Sequence, residues 1–447
     1  MRELFGTDGV RGIAGEYPLD LPTLYKLGKA VVCSGKRNVL IGRDTRASGP
    51  WIENVLQQAI LSQGGKVTLA DVITTPGVAI LSRDVPFDGG IVVSASHNPY
   101  QDNGIKIFSS SGMKLTNEEE KWIEEEVAGD STSDPLPLIA KDRNQEEIIT
   151  FNRELVGRYI DFLRSVSSVG VLKSLKIVLD CAHGAAFHIA PQVFRELGAE
   201  VVVLNAEPNG RNINLDCGAV YPQGMAQAVV DSQASLGVAF DGDCDRAIFC
   251  DAKGNILDGD YTLFILARFF QQRGQLESGC VVSTVMANKG LEVALKKERI
   301  RMLRTQVGDR YVLGEMLRGN HALGGEQSGH LIMRANSLVG DGILSALKIS
   351  QILLEEGGSL DDLARGFEKF PQILINVRVR KKRDYSKIAE IQKEIEAASK
   401  NLGERGRVVI RYSGTEPLVR IMLEGEKETE IKKYAETIAA RFQEKLG

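Results

Sequence analysis

The chain is organised around residues 90–99, Gly-Ile-Val-Val-Ser-Ala-Ser-His-Asn-Pro. The first four residues form an apolar, β-branched run, which predicts a short buried strand. Polar residues follow at once, and the Asn-Pro pair is a turn signal. Because ligands bind where the strands of open α/β sheets end, the two serines and the histidine form a candidate site. Taken alone, they fit an ordinary polar turn better than a functional site.

Strands and helices alternate on both sides of this stretch, which indicates an α/β layer architecture. A predicted strand over 39–41 precedes a helix over 51–62, where apolar residues recur at helical spacing. The segment Thr116-Asn117-Glu118-Glu119 is a capping box that opens another helix. The same rhythm recurs between residues 151 and 354, where strands are predicted over 200–204, 236–240, 280–284 and 301–305 and helices over, among others, 184–197 and 289–297. From residue 373 the pattern alternates cleanly, which predicts a half-exposed antiparallel strand in a small βαββα domain.

These patterns predict three α/β domains with mixed sheets and one small C-terminal α+β domain. At 447 residues the chain is too long for one ordinary domain. Residues 130–144 contain two prolines and are predicted to be a linker or a crossing loop. The expected domain bounds are 1–150, 151–252, 253–368 and 369–447.

The composition favours a globular protein and argues against several classes of function. The formal net charge of -4 provides no basic excess for nucleic acid. Six scattered cysteines without CxxC spacing argue against a zinc site or a disulfide framework and favour a reducing compartment. The sequence has neither a signal-peptide pattern nor a run of about 18 apolar residues, so we expect a cytoplasmic protein that does not bind membranes.

The segment Asp241-Gly242-Asp243-Cys244-Asp245, named the aspartate loop, follows a predicted buried strand. Its three carboxylates stand at alternate positions and can converge on one hard cation such as Mg²⁺. An EF-hand is excluded, because Arg246 and Ala252 stand where that calcium loop needs Gly and Glu. The alternative is an acidic turn in solvent.

Three further loops suit a phosphorylated sugar. From an extended segment, Glu326 and Ser328 would point the same way toward two sugar hydroxyls, and His330 can transfer a proton. Residues 411–420, Arg-Tyr-Ser-Gly-Thr-Glu-Pro-Leu-Val-Arg, are named the phosphate clamp, since hydroxyls, N–H groups and guanidinium groups suit a phosphate dianion. Residues 5–12, Phe-Gly-Thr-Asp-Gly-Val-Arg-Gly, allow close backbone approach to a ligand. The structural alternatives are a β-turn, a hairpin and a flexible turn, respectively.

One reaction accounts for a serine at a strand end, a metal site, a sugar site and a separate phosphate clamp. That reaction is metal-assisted phosphoryl transfer to and from a protein serine, in which the enzyme mainly positions the groups. A distant phosphate clamp implies that the substrate keeps one phosphate while another moves.

In this order and at this spacing, the four motifs closely resemble those of the α-D-phosphohexomutases along essentially the whole chain. Residues 208–214, Pro-Asn-Gly-Arg-Asn-Ile-Asn, and 307–312, Val-Gly-Asp-Arg-Tyr-Val, resemble the bacterial branch that acts on glucosamine phosphates. The resemblance implies four domains around a central cleft and interconversion of glucosamine 6-phosphate and glucosamine 1-phosphate, toward UDP-N-acetylglucosamine and peptidoglycan. The alternatives are a phosphomannomutase or phosphoglucomutase of the same family, a non-catalytic sugar-phosphate sensor, and a phosphatase.

By motif position, the resemblance implies that Ser96 carries a phosphate and exchanges it through a 1,6-bisphosphate intermediate. Mg²⁺ would be bound by the phosphate on Ser96 and by Asp241, Asp243 and Asp245. Glucosamine or glucose 1,6-bisphosphate would activate the enzyme, a monomer or homodimer. The resemblance further implies that Lys106 and His330 transfer protons and that Arg11 and Arg246 contact the transferring phosphate. Glu326 and Ser328 would bind sugar hydroxyls. The other phosphate would be bound by Arg411, Ser413, Gly414, Thr415 and Arg420.

One residue departs from the family pattern, since Cys244 stands where the family usually has glycine. If this position has a positive φ, a residue other than glycine there costs about 1–3 kcal/mol. If it does not, Cys244 has no bearing on the site. Cys244 is disfavoured as a metal ligand, because thiolate is a poor partner for Mg²⁺.

Overall fold

The structure is a computed structural model that describes residues 4–6, 8–84, 86–129, 152–167, 170–413 and 417–447. The predicted linker over 130–144 lies outside these residues. Two compact units are present: Met1–Val285 with Leu303–Leu363, and Met286–Met302 with Ala364–Gly447.

The first sheet of the first unit contains β1 (Val10–Ile13), β2 (Asn38–Arg43), β3 (Lys66–Val72), β4 (Gly89–Val93) and β5 (Asp102–Ser109). Its helices are α1 (Leu21–Cys33), α2 (Gly49–Ser62), α3 (Thr75–Asp84) and α4 (Asn117–Gly129). The strand order is β1-β5-β4-β2-β3, with β2 parallel to β3 and β4, and β5 antiparallel to β1 and β4. All of β4 is buried, which confirms the strand predicted over 90–93.

The second sheet contains β6 (Lys176–Asp180), β7 (Glu200–Leu204), β8 (Leu236–Phe240), β9 (Ala247–Asp251) and β10 (Ile256–Leu257). Its helices are α5 (Arg153–Ser165), α6 (Ile189–Glu196) and α7 (Gln223–Ser232). The order is β10-β9-β8-β6-β7, with β6 parallel to β7 and β8. Because β9 returns antiparallel to β8, their connection projects the aspartate loop from the end of a fully buried strand.

The third sheet contains β11 (Cys280–Thr284), β12 (Arg301–Thr305), β13 (Leu323–Gly325) and β14 (Leu331–Met333), in the order β12-β11-β13-β14. The helices over this part of the chain are α8 (Gly259–Gln272), α9 (Lys289–Lys297), α10 (Asp309–Arg318), α11 (Gly342–Glu356) and α12 (Leu360–Leu363). The antiparallel pairing of β13 with β14 makes a hairpin, and its connection carries the predicted sugar-binding residues.

The second unit contains α9 and a three-stranded antiparallel sheet of β15 (Gln372–Arg378), β16 (Gly406–Tyr412) and β17 (Leu418–Gly425), in the order β15-β17-β16. Helix α13 (Ala389–Leu402) has Gly403 at its C-cap, and α14 (Glu428–Leu446) closes the chain. Along β15, Val377 is buried while Asn376 and Arg378 are exposed, as the alternating pattern predicts. The βαββα order of this domain is confirmed.

The predicted α/β class with mixed sheets is confirmed, but several element predictions are wrong or incomplete. A helix predicted over 184–197 begins only at Ile189, because the chain first turns through Ala182 and His183, which have φ of 52° and 48°. The predictions missed β1, β9, β10, β14, α1, α3 and α12. In the described part of the chain, no helix is both long and apolar enough to cross a membrane.

Candidate functional site

The serine at the end of β4 faces the aspartate loop. Ser96 is 1% exposed, and its Oγ donates a hydrogen bond of 2.6 Å to Asp241 Oδ2. The Ser94 hydroxyl instead donates to Asp44 at 2.6 Å and accepts from the Ser96 N–H at 2.9 Å. Burial lowers the pKa of His97 to about 4, and the positive charge of Arg246 is the second-largest cause of this decrease. The fold therefore presents Ser96 to the aspartate loop and directs Ser94 away from it.

The aspartate loop is a cluster of buried carboxylates. One oxygen each of Asp241, Asp243 and Asp245 lies within 4.8 Å of the others. The Oδ1 atoms of Asp243 and Asp245 are buried and have no hydrogen-bond partner among the described residues. Unpartnered buried carboxylate oxygens are costly, and all-oxygen sites suit hard cations. The residues present therefore fit a metal ion.

Lys106 on β5 partly neutralises this cluster. Its Nζ lies 2.8 Å from Asp243 Oδ2 and 3.0 Å from Asp245 Oδ2. Burial opposes the charged form of Lys106, but these carboxylates outweigh burial and hold its pKa well above the usual value. Burial, together with the charges of Asp245 and Asp243, raises the pKa of Asp241. One ammonium group does not by itself balance three close carboxylates.

Two further cationic groups approach the same carboxylates. Arg246 Nε lies 3.7 Å from Asp245 Oδ1 and 4.0 Å from Asp241 Oδ2. His330 Nε2 accepts a hydrogen bond of 3.1 Å from the Gly340 N–H, which assigns its proton to Nδ1, 3.7 Å from Asp245 Oδ1. Burial opposes protonation of His330, but Asp245 and then Asp309 raise its pKa. His330 can therefore hold or release a proton beside the cluster.

Charged residues of the N-terminal loop complete this side of the site. Arg11 on β1 forms an ion pair with Asp8. Lys114 Nζ bridges Asp8 Oδ1 and Asp309 Oδ2, each at 2.6 Å. Burial opposes ionisation of Asp8, yet Lys106, Lys114 and Arg11 lower its pKa well below the usual value. The pattern is one of alternating charges around a concave surface.

That surface is a cleft of roughly 630 Å³. Three of the predicted cationic residues line it, namely Arg11, Arg246 and His330, and so does Glu326. A cleft of this size, with several charged groups converging on it, suits a small anionic ligand. Residues from each of the three sheets of the first unit thus meet at one place.

The predicted extended geometry of the sugar-binding segment is wrong. The Gly329 N–H donates to the Glu326 carbonyl at 3.0 Å, so the segment between β13 and β14 is a tight turn. Glu326 reaches the cleft, and its Oε1 accepts from the Gly308 N–H at 3.1 Å. The Ser328 Oγ is buried and has no hydrogen-bond partner among the described residues. A tight hairpin separates two side chains that an extended chain would align.

In the second unit, the phosphate clamp combines two strands. Arg411 on β16 lies directly opposite Arg420 on β17, and Asn376 on β15 flanks Arg420 on the other side. Ser413 is buried, and its N–H donates to the Leu418 carbonyl at 2.9 Å. Like charges directly opposite each other are unfavourable unless an anion lies between them. Of the predicted set, Gly414 and Thr415 lie outside the described residues.

Sequence reasoning missed several residues at the site. Asp8, Lys114 and Asp309 form the ion pairs described above, and Arg46 and Asn214 each donate a hydrogen bond to the carbonyl of Ser96. Arg46 follows β2 in a polar loop, which is the signal that found Ser96 after β4. Asn214 and Asp309 lie in segments 208–214 and 307–312, whose resemblance to a family branch implies no role for either residue. Nothing in the local sequence distinguishes Lys114 from a surface lysine.

Four family models match the chain. They describe phosphoglucomutase/phosphomannomutase: alpha/beta/alpha domain I over residues 2–134, alpha/beta/alpha domain II over 157–254, alpha/beta/alpha domain III over 258–370, and the C-terminal domain over 374–441. Among curated proteins, the phosphoglucosamine mutase of Solibacter usitatus is 45% identical, covering 100% of this chain and 99% of that protein. The phosphoglucosamine mutase of Citrifermentans bemidjiense is 46% identical with the same coverage.

Solved structures share the fold at lower identity. A phosphoglucomutase/phosphomannomutase family protein from Burkholderia thailandensis has a TM-score of 0.78 at 20% identity, covering 99% of this chain and 98% of its own. The Aspergillus fumigatus N-acetylphosphoglucosamine mutase, in complex with GlcNAc-6P and magnesium, has a TM-score of 0.62 at 19% identity, covering 99% and 95%. A third neighbour is a serine-to-alanine variant of that A. fumigatus enzyme in complex with glucose 1,6-bisphosphate, with a TM-score of 0.63 at 18% identity, covering 99% and 95%.

Proposed function

We propose that this chain, which belongs to the phosphoglucomutase/phosphomannomutase family, interconverts glucosamine 6-phosphate and glucosamine 1-phosphate. It is an isomerase that moves a phosphoryl group. The observation that carries the chemistry is the Ser96 Oγ, 2.6 Å from Asp241 within a cluster of buried carboxylates. Full-length relatives named phosphoglucosamine mutase support the choice of sugar.

In the proposed cycle, Ser96 carries a phosphoryl group between two sugar hydroxyls. The bond from phosphorus to Ser96 Oγ breaks as the free hydroxyl of the hexosamine monophosphate attacks, which yields a 1,6-bisphosphate. That intermediate reorients and returns its other phosphate to Ser96. Since the reaction needs charge stabilisation and alignment rather than new covalent chemistry, Arg11 and Arg246 are proposed to contact the transferring phosphate. Their place in the cleft lining supports this role.

The proposed proton-transfer groups differ in their surroundings. His330 lines the cleft, and the carboxylates of Asp245 and Asp309 raise its pKa, so it can carry a proton beside the ligand. Lys106 is 2% exposed, and Asp243 and Asp245 hold it in its ammonium form. Lys106 is therefore better suited to donate a proton than to accept one. Glu326 and Ser328 remain the proposed partners of the sugar hydroxyls, with Glu326 better supported because it lines the cleft.

We propose that the metal ion is Mg²⁺, held by Asp241, Asp243, Asp245 and the phosphate on Ser96. When bound, it would neutralise charge on the transferring phosphate. The buried Oδ1 atoms of Asp243 and Asp245, which accept no hydrogen bond among the described residues, support this assignment. The A. fumigatus complex with magnesium is consistent with it.

The other phosphate is proposed to bind Arg411, Ser413, Gly414, Thr415 and Arg420. The direct opposition of Arg411 and Arg420 supports an anion site there. We further propose glucosamine or glucose 1,6-bisphosphate as the activator and a monomeric or homodimeric cytoplasmic enzyme. The six cysteines are free, which fits a reducing compartment. The proposed domain bounds remain 1–150, 151–252, 253–368 and 369–447.

The test is a parallel assay of glucosamine, glucose and mannose 6-phosphates with a trace of the 1,6-bisphosphate. We expect the highest kcat/KM on glucosamine 6-phosphate. A higher value on glucose or mannose 6-phosphate would reassign the sugar within the family. Phosphate release as fast as isomerisation would indicate a phosphatase, and binding without any turnover would indicate a sensor.

A further inference from the structure

Arg46 is a buried arginine that holds the serine loop, defined here as residues 94–102. It is 0% exposed. Its Nη2 donates to the carbonyls of Ser96 at 3.0 Å and Asn98 at 2.8 Å. Its Nη1 donates to the carbonyl of Asp102 at 2.9 Å and to that of Pro99. One planar guanidinium group thus binds four carbonyl oxygens on both sides of the turn.

The remaining donor of Arg46 connects to the amide of Ser96. Arg46 Nε donates to Asp44 Oδ2 at 2.8 Å, and the same oxygen accepts from the Ser94 hydroxyl at 2.6 Å. Ser94 Oγ accepts in turn from the Ser96 N–H at 2.9 Å. Arg46 therefore restrains the carbonyl of Ser96 directly and its amide through Asp44 and Ser94.

This restraint acts on a residue in an unfavourable backbone conformation. Ser96 has φ of 51°, in the left-handed region that residues other than glycine seldom adopt. Such a conformation persists only when its surroundings impose it. The direction of the Ser96 Oγ, and so its 2.6 Å contact with Asp241, depends on this φ. Asn214 adds hydrogen bonds to two of the same carbonyls, those of Ser96 at 2.9 Å and Asn98 at 3.0 Å.

We propose that Arg46 is a positioning residue for the phosphoryl transfer, one that orients Ser96 without touching the substrate. This inference rests on the proposed function, because it presumes that Ser96 carries the phosphate. A lysine would keep the charge, but a single ammonium with three donors cannot reproduce a planar fork with five. Arg46→Lys therefore tests geometry rather than charge.

Arg43 supplies a matched control from the same segment. It is 1% exposed, and its Nε donates to Glu53 at 3.1 Å. Arg43→Lys thus changes an equally buried arginine three positions earlier. Both variants are expected to lose thermal stability, so activity must be compared at equal folded fraction.

The experiment measures five quantities for wild type, Arg46→Lys and Arg43→Lys. The first is the rate at which glucose 1,6-bisphosphate phosphorylates Ser96, measured by mass spectrometry of quenched samples. The others are kcat and KM for the sugar phosphate, amide hydrogen exchange over residues 94–102, and the thermal midpoint. We expect Arg46→Lys to slow phosphorylation and to lower kcat by about 100-fold. Its KM should stay within about twofold of wild type, because substrate contacts are unchanged. Exchange in the serine loop should rise only in this variant.

The inference is overturned if Arg46→Lys phosphorylates Ser96 and turns over at near wild-type rates. It is also overturned if both variants lose activity in proportion to their loss of stability, which would mean a structural role only. Wild-type activity on the three hexose phosphates tests the proposed function separately. A preference for another sugar would change that proposal and leave the comparison of the two variants intact.

Discussion

Cys244 stands between two proposed metal ligands with φ of 62°, in the left-handed region. Its N–H donates to the Asp241 carbonyl at 3.0 Å, and its own carbonyl accepts from the Gly342 N–H at 2.9 Å. These bonds impose the left-handed conformation, so of the two alternatives for this position the one with a positive φ holds. Burial, then the charges of Asp341 and Asp241, raises the pKa of the thiol well above its usual value. A protonated thiol is not a metal ligand.

The strain at this position can be measured with two variants. Cys244→Ala and Cys244→Gly both remove the thiol, but only glycine relieves the left-handed conformation. We expect Cys244→Gly to have a free energy of unfolding about 1 kcal/mol above that of Cys244→Ala. Urea unfolding of both variants measures the difference, and a more stable alanine variant would contradict it.

The proposed role of Ser96 predicts the effect of removing one hydroxyl. Ser96→Ala should lower mutase activity by more than about 1,000-fold, because no other group replaces the phosphate carrier. Sugar phosphate should still bind, as isothermal calorimetry would show. Ser111→Ala, at an exposed serine, is the control and should match wild type. Substantial residual activity in Ser96→Ala would rule out the phosphoserine role.

Helix α11 begins beside the aspartate loop, and its N-cap, Asp341, also binds a residue of another helix. Asp341 Oδ1 accepts from the Leu344 N–H at 3.0 Å, and Oδ2 accepts from the Tyr159 hydroxyl of α5 at 2.9 Å. Burial nevertheless raises the pKa of Asp341 to about 6, with these hydrogen bonds opposing the rise. The cap therefore ties two helices together through a carboxyl group that titrates within an accessible pH range.

The raised pKa predicts a pH-dependent stability of this cap. The folded pKa exceeds that of an unfolded aspartate, so the stabilisation is complete below about pH 4 and is lost as the pH rises through about 6. From about pH 5 to about pH 7, wild type should lose about 1 kcal/mol of unfolding free energy relative to Asp341→Asn, which does not titrate. Urea unfolding of both proteins at the two pH values measures this, and a constant difference would contradict it.

In the first unit as a whole, ion pairs join segments that are distant in sequence around the cleft. Lys114 holds Asp8 and Asp309 at 2.6 Å each. Nearby, the Arg310 guanidinium binds both carboxylate oxygens of Glu120, at 2.9 and 2.7 Å. Both sets connect the N-terminal part of the unit to the start of α10. The charged side chains around the cleft therefore also hold distant segments of the first unit together.

Removing the ammonium of Lys114 tests this link. Lys114→Met would leave two carboxylates without their shared cation, and the free energy of unfolding should fall by about 2–3 kcal/mol, less than for a fully buried pair because Asp8 is partly exposed. Lys121→Met, at a lysine whose side chain is 75% exposed, is the control and should change stability by less than about 0.5 kcal/mol. Equal stability of the two variants would contradict the link.

Local pattern predicted many elements closely. Strands β7, β8, β11 and β12 and helix α9 have the predicted bounds, because apolar runs there are enclosed by turn residues. Strands β9 and β14 were missed because each follows a polar site loop within a few residues and pairs with a strand before it. The segment around Glu326 was predicted to be extended for the same reason. Its turn depends on the pairing of β13 with β14 and not on local propensity.

The sequence by itself determined the α/β order of elements, the polar strand ends and a set of candidate residues for binding phosphate, metal and sugar. Those features depend on side-chain type and spacing over a few positions. Only the tertiary structure decided that Ser96 faces Asp241, 145 positions away, that Arg46 binds the serine loop, and that Lys114 lies between Asp8 and Asp309. Contacts between distant segments arise from sheet order and packing, and no local pattern encodes which strand ends will meet.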